Sequence, residues 1–383
     1  MLDESASFGL SEEQLALALE ARKFAQQEII PRAAHFDETA ELPTEILAKA
    51  HALGLMNLVQ AAELGGTGLG VHDACLVIEE LAAGCAGVTT TIVANDLALL
   101  PIALGATAEQ KQRLIKPICE SGALASFCLT EPGSGSDAAG MSSTVRRDGD
   151  SYILNGTKQW ITNGGVAKQF TVFATLDKSR KHKGICCLAV PGDLPGIKRG
   201  KHENKLGQRC SNTVQLNFQE VRVPAANLIG AEGEGFKLAM KTLDWTRPMT
   251  ATIAVGIARA ATAYACAYAK DRKQFSQPIA NFQAIQFMLA DMATAIEAAR
   301  LLTLKSARML DQDTPATLVS SMAKRFAADM AMQATTDAVQ IYGGYGYTKE
   351  YPVEKLMRDA KLMQIYEGTS QIQRLVIARE MLK

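Results

Sequence analysis

The sequence changes from helix-type to strand-type patterning near residue 123 and changes back near residue 230. Before the first change, apolar residues recur at helical spacing behind a capping box formed by Ser11 and Gln14. The middle segment consists of short strand-like runs separated by turn residues, which predicts a small antiparallel barrel or sandwich. We therefore predict an α+β multidomain fold, with a helical domain at 1–122, a β-domain at 123–230 and a helical domain at 231–383.

The helical patterns can be placed approximately along both outer domains. In the first domain they continue near 43–53, 72–105 and 109–119, and in the last they run near 233–271, 278–312 and 315–342, followed by two shorter ones. Strands do not alternate with helices anywhere in this pattern, so a parallel sheet of βαβ units is not expected.

The composition favours an enzyme that acts on a small molecule. The chain of 383 residues carries 40 Lys and Arg against 40 Asp and Glu, so its formal net charge is zero. Without an excess of positive charge, the sequence predicts neither a nucleic-acid partner nor an electrostatic membrane anchor. The five His lack metal-ligand spacing and the eight Cys form no C-x-x-C pair, so we predict no metal site and reduced, buried thiols.

The N-terminus, MLDESASFGLSEEQ, is acidic and lacks the basic and apolar regions of a secretory signal. The Ala-rich stretch near residue 260 is interrupted by Arg259 before it reaches the length of a membrane span. We therefore expect no membrane association and a cytoplasmic location, with the mitochondrial matrix after processing left open.

A glycine-rich run, Gly133-Ser-Gly-Ser-Asp-Ala138, matches the G-x-G-x-x-A dinucleotide fingerprint. A Rossmann fingerprint opens a helix after a strand, whereas the segment that follows here is strand-like, so we reject that interpretation. In the longer run from Cys128 to Gly140, the strand end presents Thr130. The glycines that follow allow backbone N–H groups and the Ser136 hydroxyl to approach a flat or anionic ligand.

A second unusual feature is the triplet Glu367-Gly368-Thr369, which interrupts two helical segments in KLMQIYEGTSQIQRL. A carboxylate next to glycine at a helix break is either a solvated loop residue or a group directed into a cleft. The triplet taken alone does not distinguish these two possibilities.

Seven sequence blocks together carry a family resemblance. They occur in the order ELGGTGLG, CLTEPGSGSDAAG, NGTKQWITN, LDWTRP, DRKQFSQPIANFQAIQ, QIYGGYGYTKEYPVEKLMRDA and QIYEGTSQIQRL. In these blocks and their order the chain resembles the FAD-dependent acyl-CoA dehydrogenase family, in particular its short- and medium-chain members. The resemblance covers nearly the whole chain and implies an α-helical domain, a central antiparallel β-barrel and a C-terminal four-helix bundle.

The resemblance also implies a reaction. Glu367 would remove the α-proton of an acyl-CoA thioester while a hydride passes from the β-carbon to flavin N5, which yields a trans-2-enoyl-CoA. Electrons would then leave to an electron-transfer flavoprotein. Burial beside an apolar acyl chain would raise the pKa of Glu367 toward the range useful for a base. Some family members carry their base on an earlier helix, where this sequence has Thr246.

Further site residues follow from the positions that match family motifs. Those implied for FAD within one subunit are Leu129, Thr130, Gly135, Ser136, Trp160, Thr162, Thr369 and Gln371. Those implied for the FAD of a neighbouring subunit are Arg272, Phe275, Gln283, Gln340 and Gly344, so the resemblance implies a homo-oligomer, a homotetramer built as a dimer of dimers. Those implied for the acyl-CoA are Ser136, Asp244, Arg247, Tyr366 and Gly368.

Asp96 departs from the family pattern, because this carboxylate lies in a nearly apolar helix that borders the acyl pocket in the family. It is either hydrogen-bonded within the protein or in contact with substrate, where it would serve a cyclic or polar acyl group, for example as a second base. The alternatives to a straight-chain dehydrogenase are therefore a cyclic acyl-CoA dehydrogenase, an acyl-CoA oxidase and a non-catalytic flavin- or CoA-binding protein.

Overall fold

The structure is a computed structural model that describes residues 9–383. The expectation drawn from the first eight residues of the acidic N-terminus lies outside the described part of the chain. The helical, β and helical segments follow one another in the predicted order, which confirms the fold class.

Seven helices form the N-terminal segment, and the first begins at the predicted capping box. The Gln14 backbone N–H donates to Ser11 Oγ over 3.2 Å, and the Ser11 N–H donates to Gln14 Oε1 over 3.1 Å. The helices are α1 Glu12–Phe24, which continues through a π-helical turn at Ala25–Ile29, α2 Ile30–Thr39, α3 Thr44–Ala52, α4 Val71–Gly84, α5 Ala86–Gly105, α6 Ala108–Leu114 and α7 Lys116–Ser121.

The central segment is an eight-stranded sheet. Its strands are β1 Ala125–Cys128, β2 Thr144–Asp148, β3 Ser151–Thr162, β4 Gln169–Thr175, β5 Ile185–Pro191, β6 Ile197–His202, β7 Thr213–Pro224 and β8 Leu228–Ile229. They follow the spatial order β6-β7-β3-β2-β4-β5-β8, with β1 added beside β4.

The sheet does not close into the predicted barrel within residues 9–383, so this detail of the prediction is wrong. Strands β2 and β4 pair only at Thr144 and Thr175, because β1 occupies the rest of the same edge of β4. The terminal strands β6 and β8 do not pair with each other. Most pairings are antiparallel as expected, but β1–β4 and β2–β4 are parallel.

The C-terminal segment is a bundle of three long helices and two shorter ones. These are α8 Gly235–Asp271, α9 Gln283–Asp311, α10 Thr317–Tyr342, α11 Val353–Met363 and α12 Ser370–Met381. A short hairpin, β9 Lys273–Gln274 and β10 Gln277–Pro278, separates α8 from α9. The three long helices pack on one another, α11 and α12 pack on α10, and α4 packs on α8, so the two helical segments share one core.

Two of the helices, α5 and α8, have the length and hydropathy of a membrane span. In each, 83% of the most apolar 18-residue window is buried inside the protein. Burial against neighbouring helices therefore accounts for their apolar composition. These two core helices also form much of the wall around Glu367.

Candidate active site

Glu367 lies at the break between α11 and α12. Thr369 caps α12, and its hydroxyl accepts a hydrogen bond of 3.1 Å from the Ile372 N–H. Glu367 has a φ of 51° and Gly368 a φ of 90°, so two consecutive residues lie in the left-handed region. That conformation is costly for a glutamate, and its presence here indicates that surrounding contacts hold the break in place.

Those contacts come from α10 and α12. The Lys324 ammonium donates a hydrogen bond of 2.7 Å to the Gly368 carbonyl, and Gln373 Nε2 donates one of 2.9 Å to the Glu367 carbonyl. On the outer side, Asp329 accepts hydrogen bonds from residues on both sides of the break, namely Gln364, Ser370 and Arg374. The backbone of the break is therefore fixed from two helices at once.

The Glu367 carboxylate faces α8. Thr246 Oγ1 donates a hydrogen bond of 2.8 Å to Glu367 Oε2. Burial raises the pKa of Glu367 above its ordinary value, while hydrogen bonds from Thr246 and Thr250 and the positive charges of Lys324 and Arg247 partly offset that rise. A raised pKa suits a carboxylate that must both take up and release a proton near neutral pH.

Two cavities meet at this carboxylate. The smaller has a volume of about 410 Å³ and the larger about 580 Å³. Both are lined by Thr130, Gly135, Ser136, Trp160, Thr162, Tyr366, Glu367 and Gly368. Glu367 thus stands at the junction of two connected spaces, so it can contact a molecule that extends from one into the other.

The smaller cavity has apolar walls and a polar end. Helices α5 and α8 supply side chains such as Val93, Leu97 and Leu243. At the polar end, Asp244 and Arg247 form an ion pair, and Thr317 Oγ1 donates to Asp244 Oδ2 over 2.6 Å. The cavity can therefore hold an apolar chain that carries a polar group at one end.

The larger cavity borders the glycine-rich run and Trp160. Trp160 has a φ of 60° at an irregularity in the pairing of β3 with β7, and 59% of the residue is exposed. No heavy atom outside the glycine and its chain neighbours lies within 4 Å of the position that a Cβ at Gly135 would occupy. An exposed indole beside an open glycine backbone leaves room for a flat ring system.

The comparison with known proteins identifies the family. Three profiles of the acyl-CoA dehydrogenase family match the chain, the N-terminal domain at 11–122, the middle domain at 126–221 and the C-terminal domain at 233–382. The chain belongs to the acyl-CoA dehydrogenase family. It is accordingly an FAD-dependent flavoprotein oxidoreductase that acts on acyl-CoA thioesters.

Individual members of the family match over nearly their whole length. The probable acyl-CoA dehydrogenase YngJ of Bacillus subtilis (strain 168) is 46% identical, with 98% of this chain and 100% of the relative covered. The cyclohexane-1-carbonyl-CoA dehydrogenase of Geobacter metallireducens is 45% identical, with 98% and 99% covered.

Solved structures of the family have the same fold. Butyryl-CoA dehydrogenase from Megasphaera elsdenii superimposes with a TM-score of 0.95 at 42% identity, with 98% of this chain and 100% of that chain covered. A chain solved in work on the electron transferring flavoprotein of Acidaminococcus fermentans gives a TM-score of 0.96 at 44% identity, with 98% and 99% covered. A glutaryl-CoA dehydrogenase from Mycobacterium smegmatis solved with FADH2 gives 0.91 at 30% identity, with 97% and 95% covered.

Most of the residues implied by the family resemblance surround these cavities. Besides the eight shared residues, Leu129, Asp244 and Arg247 line the smaller cavity and Thr369 the larger. Gln371 lies beside Thr369 on an adjoining cavity. The open backbone at Gly135 and the exposed Trp160 fit an isoalloxazine ring in the larger cavity.

A second group of the predicted residues lies outside both cavities. Phe275 is 87% exposed, and the Arg272 guanidinium lies 5.3 Å from the centre of the Tyr345 ring, which joins the α8–α9 hairpin to the turn after α10. The remaining members are also at the surface, and they are Gln283, Gln340 and Gly344. Within this chain the group does not contribute to the wall around Glu367.

Asp96 does not line either cavity, which corrects the expectation that it contacts substrate. Its carboxylate is fully buried and accepts hydrogen bonds from the Leu58 N–H over 2.9 Å, the Val59 N–H over 3.3 Å and Gln60 Nε2 over 3.1 Å. Burial raises the pKa of Asp96 to about 6. The carboxylate therefore stabilises the loop after α3, and its neighbours on α5 face the cavity instead.

The sequence analysis missed the residues that hold the break, in particular Lys324 and Gln373. Lys324 lies on the side of α10 that also carries Ser320, Ala327 and Ala331, all of them buried. A lysine on a stripe of small residues is a recognisable signal, because a buried ammonium requires a partner. The hydrogen bond from Thr246 to Glu367 was also not predicted.

Proposed function

We propose that Glu367 is the base that removes the α-proton of an acyl-CoA thioester, which gives the trans-2-enoyl-CoA. The observation that carries this proposal is the position of Glu367, whose carboxylate stands at the junction of the two cavities with a raised pKa. Asp244 and Arg247 would lie toward the CoA end of the smaller cavity, and its apolar walls would hold the acyl chain and exclude water.

The backbone at the break supports a second contribution to the reaction. Within residues 9–383, the Glu367 N–H donates no hydrogen bond. The α-proton of a thioester is weakly acidic, so negative charge develops on the thioester oxygen as the proton leaves, and a donor aimed at that oxygen lowers the barrier. We assign this role to the Glu367 N–H, next to the carboxylate that takes the proton.

FAD would bind in the larger cavity through residues 129–136, Trp160, Thr162, Thr369 and Gln371. Bound FAD supplies the acceptor for the β-hydrogen and its two electrons. The role of the protein is to place the α-carbon of the thioester within reach of Glu367 while the opposite face of the substrate is directed toward the larger cavity. We further propose an electron-transfer flavoprotein as the subsequent electron acceptor, a partner class suggested by the similarity to the Acidaminococcus fermentans chain.

A cyclic acyl-CoA is the second candidate substrate. It is favoured by the 45% identity to a cyclohexane-1-carbonyl-CoA dehydrogenase, but a base role for Asp96 is not part of it, because that carboxylate faces the loop after α3. The similarity to butyryl-CoA dehydrogenase, at 42% identity, favours a short straight chain. The two substrate classes can be separated by experiment.

The test is the visible spectrum of the anaerobic FAD-loaded protein before and after addition of straight, branched and cyclic acyl-CoAs. We expect one class to bleach the flavin band, and we expect Glu367→Gln to retain FAD but bleach roughly 10²–10⁴ times more slowly. A yellow protein that no thioester bleaches would favour a non-catalytic flavin- or CoA-binding role. Turnover in air without an added acceptor would indicate an acyl-CoA oxidase, whereas faster reoxidation by an electron-transfer flavoprotein than by oxygen supports the proposed partner.

We also propose that the protein is a homotetramer in which the surface group of Arg272, Phe275, Gln283, Gln340 and Gly344 contacts the FAD of a neighbouring subunit. The exposure of this group and its distance from the cavities of its own chain support the proposal. Light scattering gives the oligomeric state directly. If a neighbour completes the FAD site, Arg272→Ala weakens FAD binding while leaving both cavities of the subunit unchanged, and a monomer that binds FAD fully would contradict the proposal.

A further inference from the structure

Lys324 is a buried cation directly behind the break that carries Glu367. It lies on α10 with 1% of its surface exposed, and its ammonium donates 2.7 Å to the Gly368 carbonyl. Among residues 9–383, no carboxylate lies within 4.0 Å of this ammonium. A buried ammonium without an adjacent carboxylate is unusual, because loss of hydration is otherwise offset by a close ion pair.

The charges around Glu367 show which group balances this ammonium. On α8, Arg247 is already paired with Asp244. The charge of Glu367 raises the pKa of Lys324 and that of Lys324 lowers the pKa of Glu367, although burial brings the pKa of Lys324 down to about 8. The other ionisable or charged groups near the carboxylate or near Lys324 are Tyr366 beside it, Arg379 on α12 and Asp329 on α10.

We propose that Lys324 is a positioning residue for the base, whose ammonium both holds the Gly368 carbonyl and supplies the positive charge that keeps Glu367 ionised near neutral pH. This inference rests on the proposed function of Glu367. The two effects can be separated, because Gln373 holds the same stretch of backbone without a charge, with donor distances of 2.9 Å to the Glu367 carbonyl and 3.4 Å to the Gly368 carbonyl.

The experiment compares variants of the FAD-loaded protein. Lys324→Met removes the charge and the hydrogen bond, Lys324→Gln removes the charge but keeps a donor, and Lys324→Arg keeps the charge. Gln373→Leu removes a neutral hydrogen bond to the break, and Lys305→Met removes an equivalent charge from the exposed side of α9. The measurement is the rate of anaerobic flavin bleaching, with the acyl-CoA that bleaches wild type fastest, as a function of pH.

The bleaching rate of wild type should fall at low pH as Glu367 becomes protonated. We expect this acidic limb to move to higher pH by about one unit in Lys324→Met and Lys324→Gln, because a carboxylate that loses a nearby positive charge gains proton affinity. Lys324→Arg should keep the limb close to wild type. Gln373→Leu should bleach more slowly without moving the limb, and Lys305→Met should change neither the rate nor the limb.

An acidic limb that stays at the wild-type pH in both neutral Lys324 variants would overturn the inference, even if their rates fell. Loss of FAD or of folding in both neutral variants, with Lys324→Arg normal, would also overturn it by limiting Lys324 to a role in stability. If no thioester bleaches wild type, the proposed function itself fails. Failure of the function is thereby distinguished from failure of the Lys324 inference.

Discussion

Thr246 Oγ1 donates a hydrogen bond of 2.8 Å to Glu367 Oε2, and this bond connects α8 to the break between α11 and α12. The two residues are 121 positions apart in sequence. Thr246 stands at the position where some members of the family carry their base, and in this structure a side chain at that position reaches the Glu367 carboxylate. The proton affinity of the base is therefore set partly by another helix.

Replacement of Thr246 by Val should make Glu367 a weaker acid. Valine has nearly the same shape as threonine but no hydroxyl, so the ionised carboxylate loses a hydrogen bond and its pKa rises by about one unit. We expect anaerobic flavin bleaching to be about tenfold slower below the acidic limb and nearly unchanged well above it. Thr246→Ser keeps the hydroxyl and should retain the wild-type profile, and equal slowing of the Val variant at every pH would contradict this account.

Replacement of Gly135 by Val should weaken FAD binding without disturbing the fold. A Cβ at Gly135 points into open space, so the valine meets no protein atom but fills part of the larger cavity. We expect affinity for FAD, measured by titration of the apoprotein, to fall at least about tenfold, which corresponds to about 1.4 kcal/mol. Gly133 is equally open but does not line either cavity, so Gly133→Val is the matched control and should bind FAD like wild type.

Replacement of Asp96 by Asn should reduce stability rather than activity. The amide NH₂ group would face the Leu58 and Val59 N–H groups in place of an acceptor, at a cost of about 1–3 kcal/mol. Bleaching by straight and cyclic acyl-CoAs should continue. A selective loss with cyclic substrates would restore the substrate role that the structure contradicts.

The stability difference at Asp96 should also depend on pH. Its pKa is about 6 in the folded protein against 3.8 for an ordinary aspartate, so between these values the folded state binds the proton more tightly. The contribution of Asp96 to the free energy of unfolding therefore falls as pH rises through this window. Relative to Asp96→Asn, wild type should gain about 1 kcal/mol between pH 7 and pH 5, measured by denaturation of both proteins in parallel.

Replacement of Arg300 by Met should destabilise the joint between the helical segments. Arg300 donates hydrogen bonds of 3.0 Å and 2.7 Å to Glu79, and both side chains are buried between α4 and α9. Removal of the cation leaves a poorly compensated buried carboxylate, at a cost of about 3 kcal/mol. Arg222→Met breaks the exposed pair with Asp148 and should cost less than about 1 kcal/mol in the same urea titration. Equal losses in both variants would contradict the assignment.

The order of helical and strand segments, the capping box at Ser11 and Gln14, and the family could all be predicted from the sequence. These features depend on local periodicity, on short-range hydrogen bonding and on motifs that are contiguous in the chain. The importance of Glu367 and the glycine-rich run was also recognisable, because both lie within such motifs. Composition likewise indicated buried cysteines, and seven of the eight are buried in the structure.

Tertiary structure alone decided how distant residues meet. Asp96 lies on an apolar helix that borders the cavity, but the rotation of α5 directs its carboxylate to the loop after α3, and no local pattern specifies that rotation. The open sheet depends on β1 and β2 sharing one edge of β4, which is a pairing between distant segments. Lys324 and Thr246 reach Glu367 because α8 and α10 pack beside the break, so the charge and hydrogen bonding of the base depend on the packing of whole helices.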